Sequence, residues 1–176
     1  MVLEILKYPD PFLNTKARPV EAVDDGIRKL IDDMVETMYH AKGIGLASVQ
    51  VGVDRRVVVL DVPDEDDGER KRGKNLLALV NPEITYKEGV TTFEEGCLSV
   101  PGFTADVERA SVLKVSALDR DGSPIEIEAG GLLAIAIQHE IDHIDGFLFI
   151  DRLSRIKREM IKRKIRKALE AEEKAL

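Results

Sequence analysis

The chain has 176 residues, 44% hydrophobic and 34% charged, with a net charge of −7. That length can bury a real core in one compact domain, and no apolar run approaches the roughly 20 residues a membrane-spanning helix needs. The start, MVLEILKYPDPFL, lacks the basic region and small-residue cleavage site of a signal peptide and the Arg/Ser-rich character of a transit peptide, which predicts a cytoplasmic protein, and the lone Cys97 excludes an intramolecular disulfide framework.

Residues 26–41, GIRKLIDDMVETMYHA, place Ile27, Leu30, Ile31, Met34, Val35 and Met38 at helical spacing, predicting an amphipathic helix ended by Gly43 and Gly45. The β-branched run RRVVVLDV (55–62) predicts a strand. The charged stretch PDEDDGERKRGKN (63–75) predicts a mobile loop leading into a second strand, LLALVNPEI. ASVLKVSALD (110–119) and SPIEIEA alternate on either side of RDG and predict a hairpin. Gly130 and Gly131 precede LLAIAIQHEIDHIDG, which is apolar almost all round and predicts a buried central helix closed by Gly146. FLFID then predicts a short strand or turn. From Ser154 onward a long charged helix follows, with Ile156, Met160, Ile161, Ile165, Ala168 and Leu169 as its apolar positions. No repeat or linker divides residues 1–176, so a single domain is expected, with 151–176 as a C-terminal helical segment, basic in its first part. The order of elements predicts an α+β fold: antiparallel β-sheets packed around one central helix, with a long C-terminal helix.

Charge is unevenly placed. Between Asp151 and Lys167 there are nine Lys/Arg and two Asp/Glu, so a basic tail follows an acidic body. Such a tail suits an anionic partner, although a solvated helix face explains it equally well.

The chemistry concentrates in QHEIDH (138–143), which holds two of the three histidines in the chain. His139 and His143, at i and i+4, lie on one helical face and can meet one cation, while Glu140 can address a water there. Two histidines and a glutamate on an apolar helix are costly unless something pairs with them. A third ligand is missing from the helix. Asp145 is too close along it, and Asp151 and Glu159 lie in the terminal segment. Cys97, in the Gly-flanked EEGCLSVPG, can offer a sulfur to a helix packed above it. Cys97, His139 and His143 with one water would form an open four-coordinate site. The stretch Gly43-x-Gly45-x-x-Ser48 nearly mimics a dinucleotide fingerprint, but it follows a helix instead of a strand, so the nucleotide reading fails on context. His40 matches no ligand position and is read as structural or exposed.

Taken in order, GIGLASVQ (43–50), EGCLSVP (95–101) and QHEIDH (138–143) resemble the three signature motifs of peptide deformylase, and the resemblance covers essentially the whole chain. It implies a hydrolase that removes the N-formyl group from the N-terminal formyl-methionine of newly made polypeptides and releases formate. It implies one divalent metal on Cys97, His139 and His143, typically Fe2+, with Zn2+, Ni2+ or Co2+ able to take the site. Glu140 matches the general base. The side-chain amide of Gln50 and the backbone N–H of Leu98 match the oxyanion donors. Ile44, Gly45, Phe93, Gly96, Ile135 and Ala136 match the substrate-binding wall, to which His139 also contributes, and Gly45 is expected to let substrate backbone approach closely. The chain departs from the pattern at Ser48, where Ala is common; a small hydroxyl is expected to fit there. At Gly102-Phe103-Thr104 it departs again, where some members carry an Arg. Glu94 or Glu95 could orient main chain or a ligand, and the sequence does not choose between these.

The expected partners are N-formylmethionyl peptides of nascent chains and, through the basic helix, the ribosome. Neither a membrane nor sequence-specific nucleic acid is expected, since no aromatics interleave the basic residues. Two rivals remain: an H-E-x-x-H metallo-endopeptidase, indifferent to Cys97, and a non-catalytic member that binds nascent chains or ribosomes, which would be expected to lack Glu140 or Gln50, both present here.

Overall fold

The structure, a computed structural model, describes residues 1–64 and 71–175. Its organising element is β2 (Val57–Asp61), in which every residue is buried. A strand apolar on both faces must be covered on both. Val57 and Val59 pack with Ile31, Met34 and Met38 of α1 (Asp25–His40), whereas Val58 and Leu60 pack with Ile137, Ile141 and Ile144 of α2 (Gly131–Ile144). The period of two along β2 thus separates two hydrophobic clusters, one on each side of a single sheet.

That sheet is antiparallel and five-stranded. Its order is β1 (Gly45–Ala47), β2, β3 (Leu76–Glu88), β6 (Val112–Leu118) and β7 (Pro124–Gly130). The expected hairpin is present as β6 and β7, turned by Asp119, whose Oδ1 accepts from the backbone N–H groups of Asp121 and Ser123 at 2.9 Å each. β3 runs beyond the expected LLALVNPEI, with register shifts between Val80 and Glu83 and between Ile84 and Tyr86. The Asn81 amide in the first irregularity bonds both main-chain groups of Val20, at 2.8 and 2.9 Å, tying the N-terminal segment to the sheet.

Helix α1 begins with the Asp24 side chain accepting from Ile27 N–H. Its end differs from expectation. The left-handed residue after the helix is Lys42 (φ 59°) instead of Gly43 or Gly45, and Gly45 already belongs to β1. Of the expected loop 63–75, residues 65–70 lie outside the described residues. The FLFID segment is a 3-10 turn, Phe149–Arg152, and the C-terminal helix α3 (Arg155–Ala175) starts after it, not at 151. Along α3, Ile161, Ile165 and Leu169 form the packing stripe against Val100 and Phe149, while Ile156 and Met160 are exposed.

A second, two-stranded sheet joins β4 (Thr91–Cys97) to β5 (Val100–Arg109). The sequence reading identified only the turn inside it. β4 is charged and mostly exposed and lacks the alternation that marks a half-buried strand, whereas β5 does alternate from Phe103 to Arg109, a signal the sequence reading passed over. This hairpin brings Cys97 to α2.

Candidate metal centre

His139, Glu140 and His143 lie in the buried stretch of α2, which offers solvent almost none of its surface from Ala134 to Ile144. Cys97 is the last residue of β4, and the ladder shifts register between Gly96 and Cys97. An irregularity of that kind re-aims a side chain, here toward the helix. Cys97 Sγ lies 3.3 Å from His143 Nε2, and His143 Nε2 lies 3.1 Å from His139 Nε2. All three ligand-type atoms fall within 4.8 Å of one another.

These donors fit a divalent cation. Three lone-pair donors, one soft and two borderline, converge from two elements, and they match the ligand set of an open transition-metal or zinc site. The protonation pattern agrees. Burial drives His143 well below its ordinary range, and the neighbouring charges of His139 and Arg109 push the same way. Burial acts on His139 too, but hydrogen bonds to Cys97 and Glu95 outweigh it and hold His139 well above its ordinary range. Without a cation, His139 keeps an extra proton while His143 stays neutral; a cation would take the place of that one positive charge.

A carboxylate stands behind one histidine. Glu95 Oε1 is 2.9 Å from His139 Nδ1, so an Nδ1–H tautomer donates to it and leaves Nε2 free for a metal. Arg109 at the end of β5 grips Glu95 with Nε at 2.8 Å and Nη2 at 2.9 Å, and reaches Asp142 with Nη1 at 2.5 Å. Arg152 closes the chain on Asp142 at 2.6 and 3.0 Å. Burial alone would raise the Glu95 carboxyl, yet the bonds from Arg109 and His139 hold it below the usual carboxylate range. This resolves the choice between Glu94 and Glu95: Glu95 orients a histidine, and the Glu94 carboxylate accepts from Thr104 at 3.1 Å on the exposed side. Sequence reasoning missed Arg109, Asp142 and Arg152. The available signal was Asp142 itself, an acid inside the apolar helix that needed a cation it could not find within the motif.

Glu140 is fully enclosed, and its Oε2 has no hydrogen-bond partner among the described residues. Burial pushes its carboxyl up to about 7, partly countered by the charge of His139. A carboxyl poised near neutrality can both accept and return a proton. Gly45 explains how it fits: a Cβ at position 45 would stand 3.0 Å from Glu140 Oε1. Glycine here leaves room for the Glu140 carboxylate, which a side chain would press by a few tenths of an ångström, in addition to the substrate approach the sequence suggested.

Gln50 is buried, not a surface amide. Its Oε1 accepts from Ala47 N–H at 3.0 Å, and its Nε2 donates to Ser99 Oγ at 3.1 Å and lies 3.6 Å from Cys97 Sγ. Ser48 fits as expected, with its hydroxyl donating to the Arg55 carbonyl. A cleft of about 380 Å³ opens over these groups, bordered by Ile44, Gly45, Phe93, Gly96, Ile135 and Ala136, the whole expected substrate wall, with Gln50, Leu98 and Glu140 alongside. His40 is exposed and apart from it. A larger groove of about 560 Å³ lies beside α2, but Arg109, Asp142 and Arg152 in its wall are already paired, and neither His139 nor His143 reaches it.

Comparison with known proteins gives one answer. The sequence profile of the polypeptide deformylase family matches residues 2–159. A peptide deformylase of Alkalilimnicola ehrlichii is 57% identical over 166 residues, covering 94% of this chain and 90% of that one. A crystal structure of a peptide deformylase from Legionella pneumophila superposes with a TM-score of 0.87 at 46% identity, covering 98% of both chains. One from Ehrlichia chaffeensis, in complex with actinonin, gives 0.86 at 42% identity over 95% of this chain and 97% of that one. Three ordered motifs, a convergent Cys/His/His cluster and near-complete alignment therefore meet in a single conclusion: the chain belongs to the peptide deformylase family of hydrolases.

Proposed function

We propose that this protein hydrolyses the formamide of N-formylmethionyl peptides as nascent chains emerge, giving formate and a free α-amine. The observation that carries this reading is the placement of Glu140, a buried carboxyl beside the Cys97/His139/His143 cluster, on a largely apolar cleft of about 380 Å³ that can take a side chain together with its main chain. Neither rival is favoured: the family is that of deformylases, and Cys97 stands among the metal-type ligands.

In this reading Ile44, Phe93, Ile135 and Ala136 receive the methionine side chain, and Gly45 and Gly96 let the peptide main chain lie close to β1 and β4. Cys97, His139 and His143 would hold one divalent ion, Fe2+ by family likeness, with Zn2+, Ni2+ or Co2+ compatible with the same donors. Such an ion supplies Lewis acidity, polarising the formyl oxygen and making a water easier to deprotonate. Glu140 accepts the water proton as the new C–O bond forms. It returns that proton to the nitrogen as the C–N bond breaks, giving a neutral amine and formic acid, which releases its own proton to solvent to become formate. The Gln50 amide and the Leu98 N–H offer hydrogen bonds to the oxygen that becomes negative between these steps, each worth about 3 kcal/mol by analogy with other oxyanion donors. Residues 1–176 act as a single catalytic domain working in the cytoplasm. The basic first half of α3 meets ribosomal RNA, and that contact weakens steeply with salt.

The decisive experiment measures formate release from formyl-Met-Ala-Ser by protein prepared anaerobically with Fe2+. Release by the parent and its loss in Glu140→Ala are expected. A metal-loaded parent that releases none would overturn the reading. Co-sedimentation with ribosomes across a salt series tests the α3 contact, and salt-independent or absent binding rejects it.

A further inference from the structure

We propose that Ser99 is a positioning residue for the oxyanion donor: its hydroxyl fixes the Gln50 carboxamide so that one N–H is occupied and the other faces the reacting oxygen. The proposal rests on the reading of Gln50 given above and adds a residue that does not itself touch the cleft.

A carboxamide has one accepting oxygen and two N–H donors, and it can sit either way round unless its neighbours differ. Here they differ. Ala47 N–H meets the oxygen at 3.0 Å, and Ser99 Oγ meets the nitrogen at 3.1 Å. Rotating the amide by half a turn would set its N–H groups against the Ala47 N–H, two donors facing each other inside a buried site. The bond to Ser99 uses one N–H of Nε2. Nε2 also makes a long bond to Cys97 Sγ at 3.6 Å, so its second N–H points at the ligand cluster where the cleft opens and can be given up there to the reacting oxygen.

Ser99 is well placed for this task. It is completely buried and is not part of the cleft wall. Its own position is set by main chain: its carbonyl accepts from Tyr8 N–H at 2.8 Å, and its N–H points to Cys97 Sγ at 3.4 Å. Two residues earlier, Leu6 N–H donates to the Gln50 carbonyl at 2.7 Å. One short N-terminal stretch therefore holds the main chains of Gln50 and Ser99 side by side, and the hydroxyl completes the alignment at side-chain level. Ser99 itself meets the sulfur only through its backbone N–H, so removing the hydroxyl should leave the ligand set unchanged.

The test is a double-mutant cycle of Ser99→Ala and Gln50→Ala on the Fe2+ protein, reading kcat and KM for formyl-Met-Ala-Ser, together with the thiolate-to-metal absorption of the Co2+ form. Ser99→Ala is expected to lower kcat about 10-fold, with KM within about 2-fold and the Co2+ spectrum unchanged. In the Gln50→Ala background the same change should cost less than about 2-fold, because the amide it serves is gone. Ser99→Cys, which keeps a weak acceptor, should fall in between and carries the cycle if Ser99→Ala does not fold. Equal losses in both backgrounds, an altered Co2+ spectrum, or no loss at all would reject the positioning role while leaving the deformylase reading standing. A Gln50→Ala enzyme as fast as the parent would instead remove the oxyanion reading of Gln50, and this proposal with it.

Discussion

β2 and β4 are neighbours in function but opposites in construction. All five residues of β2 are buried, and its four apolar side chains, Val57 to Leu60, meet other apolar groups on both faces. In β4 the one buried residue is Glu95, and it is held by directed bonds to Arg109 and His139. Burial of hydrocarbon is strong but non-directional, so the five-stranded sheet can supply stability while tolerating small shifts. Charge-assisted bonds specify distance and angle, so the hairpin can aim Cys97 and His139 at one point. Stability and aim are thus assigned to different strands, and each should fail in its own way.

The largest effect should come from the site alone. Glu140→Gln is expected to lower kcat/KM by about 10²–10⁴-fold with no loss of thermal stability. An equal drop in melting temperature would mean that the carboxyl is part of the scaffold. Next comes the scaffold alone. Leu60→Ala, at a fully buried position of β2, should cost about 2–5 kcal/mol in urea unfolding while the folded fraction keeps a near-normal kcat. A matched fall in kcat would erase the contrast.

A third prediction separates the two through pH. In the metal-free protein the folded carboxyl of Glu140 sits near 7, above its ordinary 4.5. The folded state therefore binds more protons than the unfolded state between those values, and stability falls as pH rises through that window. The loss should reach at most about 3 kcal/mol, and Glu140→Gln should abolish it. Unfolding curves in chelator from pH 4 to 8 that stay parallel for parent and variant would contradict the burial argument. The smallest effect probes the bridge between strands: Glu95→Gln should weaken metal binding about 10–100-fold, measured by competition with a chromophoric chelator. Unchanged affinity would show that His139 keeps its orientation without the carboxylate.

Much of the five-stranded sheet and the whole Cys/His/His set was readable in the sequence, for a physical reason. Apolar periodicity reports burial, and VVVL in β2 or the apolar run around QHEIDH leaves little choice about what must be covered. Within the helix, the spacing of His139 and His143 fixes their shared face whatever surrounds it. What the sequence concealed was whatever depends on partners distant along the chain. Arg109 looks like any charged strand end until Glu95, 14 residues away, and Asp142, 33 away, are seen beside it. Ser99 reads as a small residue in a turn until Gln50 lies next to it. β4 escaped because its residues answer to β5 and to the site, whereas β5, whose Val100 and Val107 belong to a core cluster, carried an alternation that the sequence reading passed over.

Position 45 has a consequence for anyone wishing to change what the cleft accepts. Ile135 and Ala136 stand on α2 and border the cleft without approaching the space that position 45 leaves for Glu140. Gly45 differs, since a side chain there would press on the carboxylate of Glu140. Selectivity and proton transfer are therefore separable along the helix and inseparable along β1. A redesign that reshapes the cleft from the helix side can keep the chemistry, whereas one that adds a methyl group on the strand side alters substrate choice and the base together.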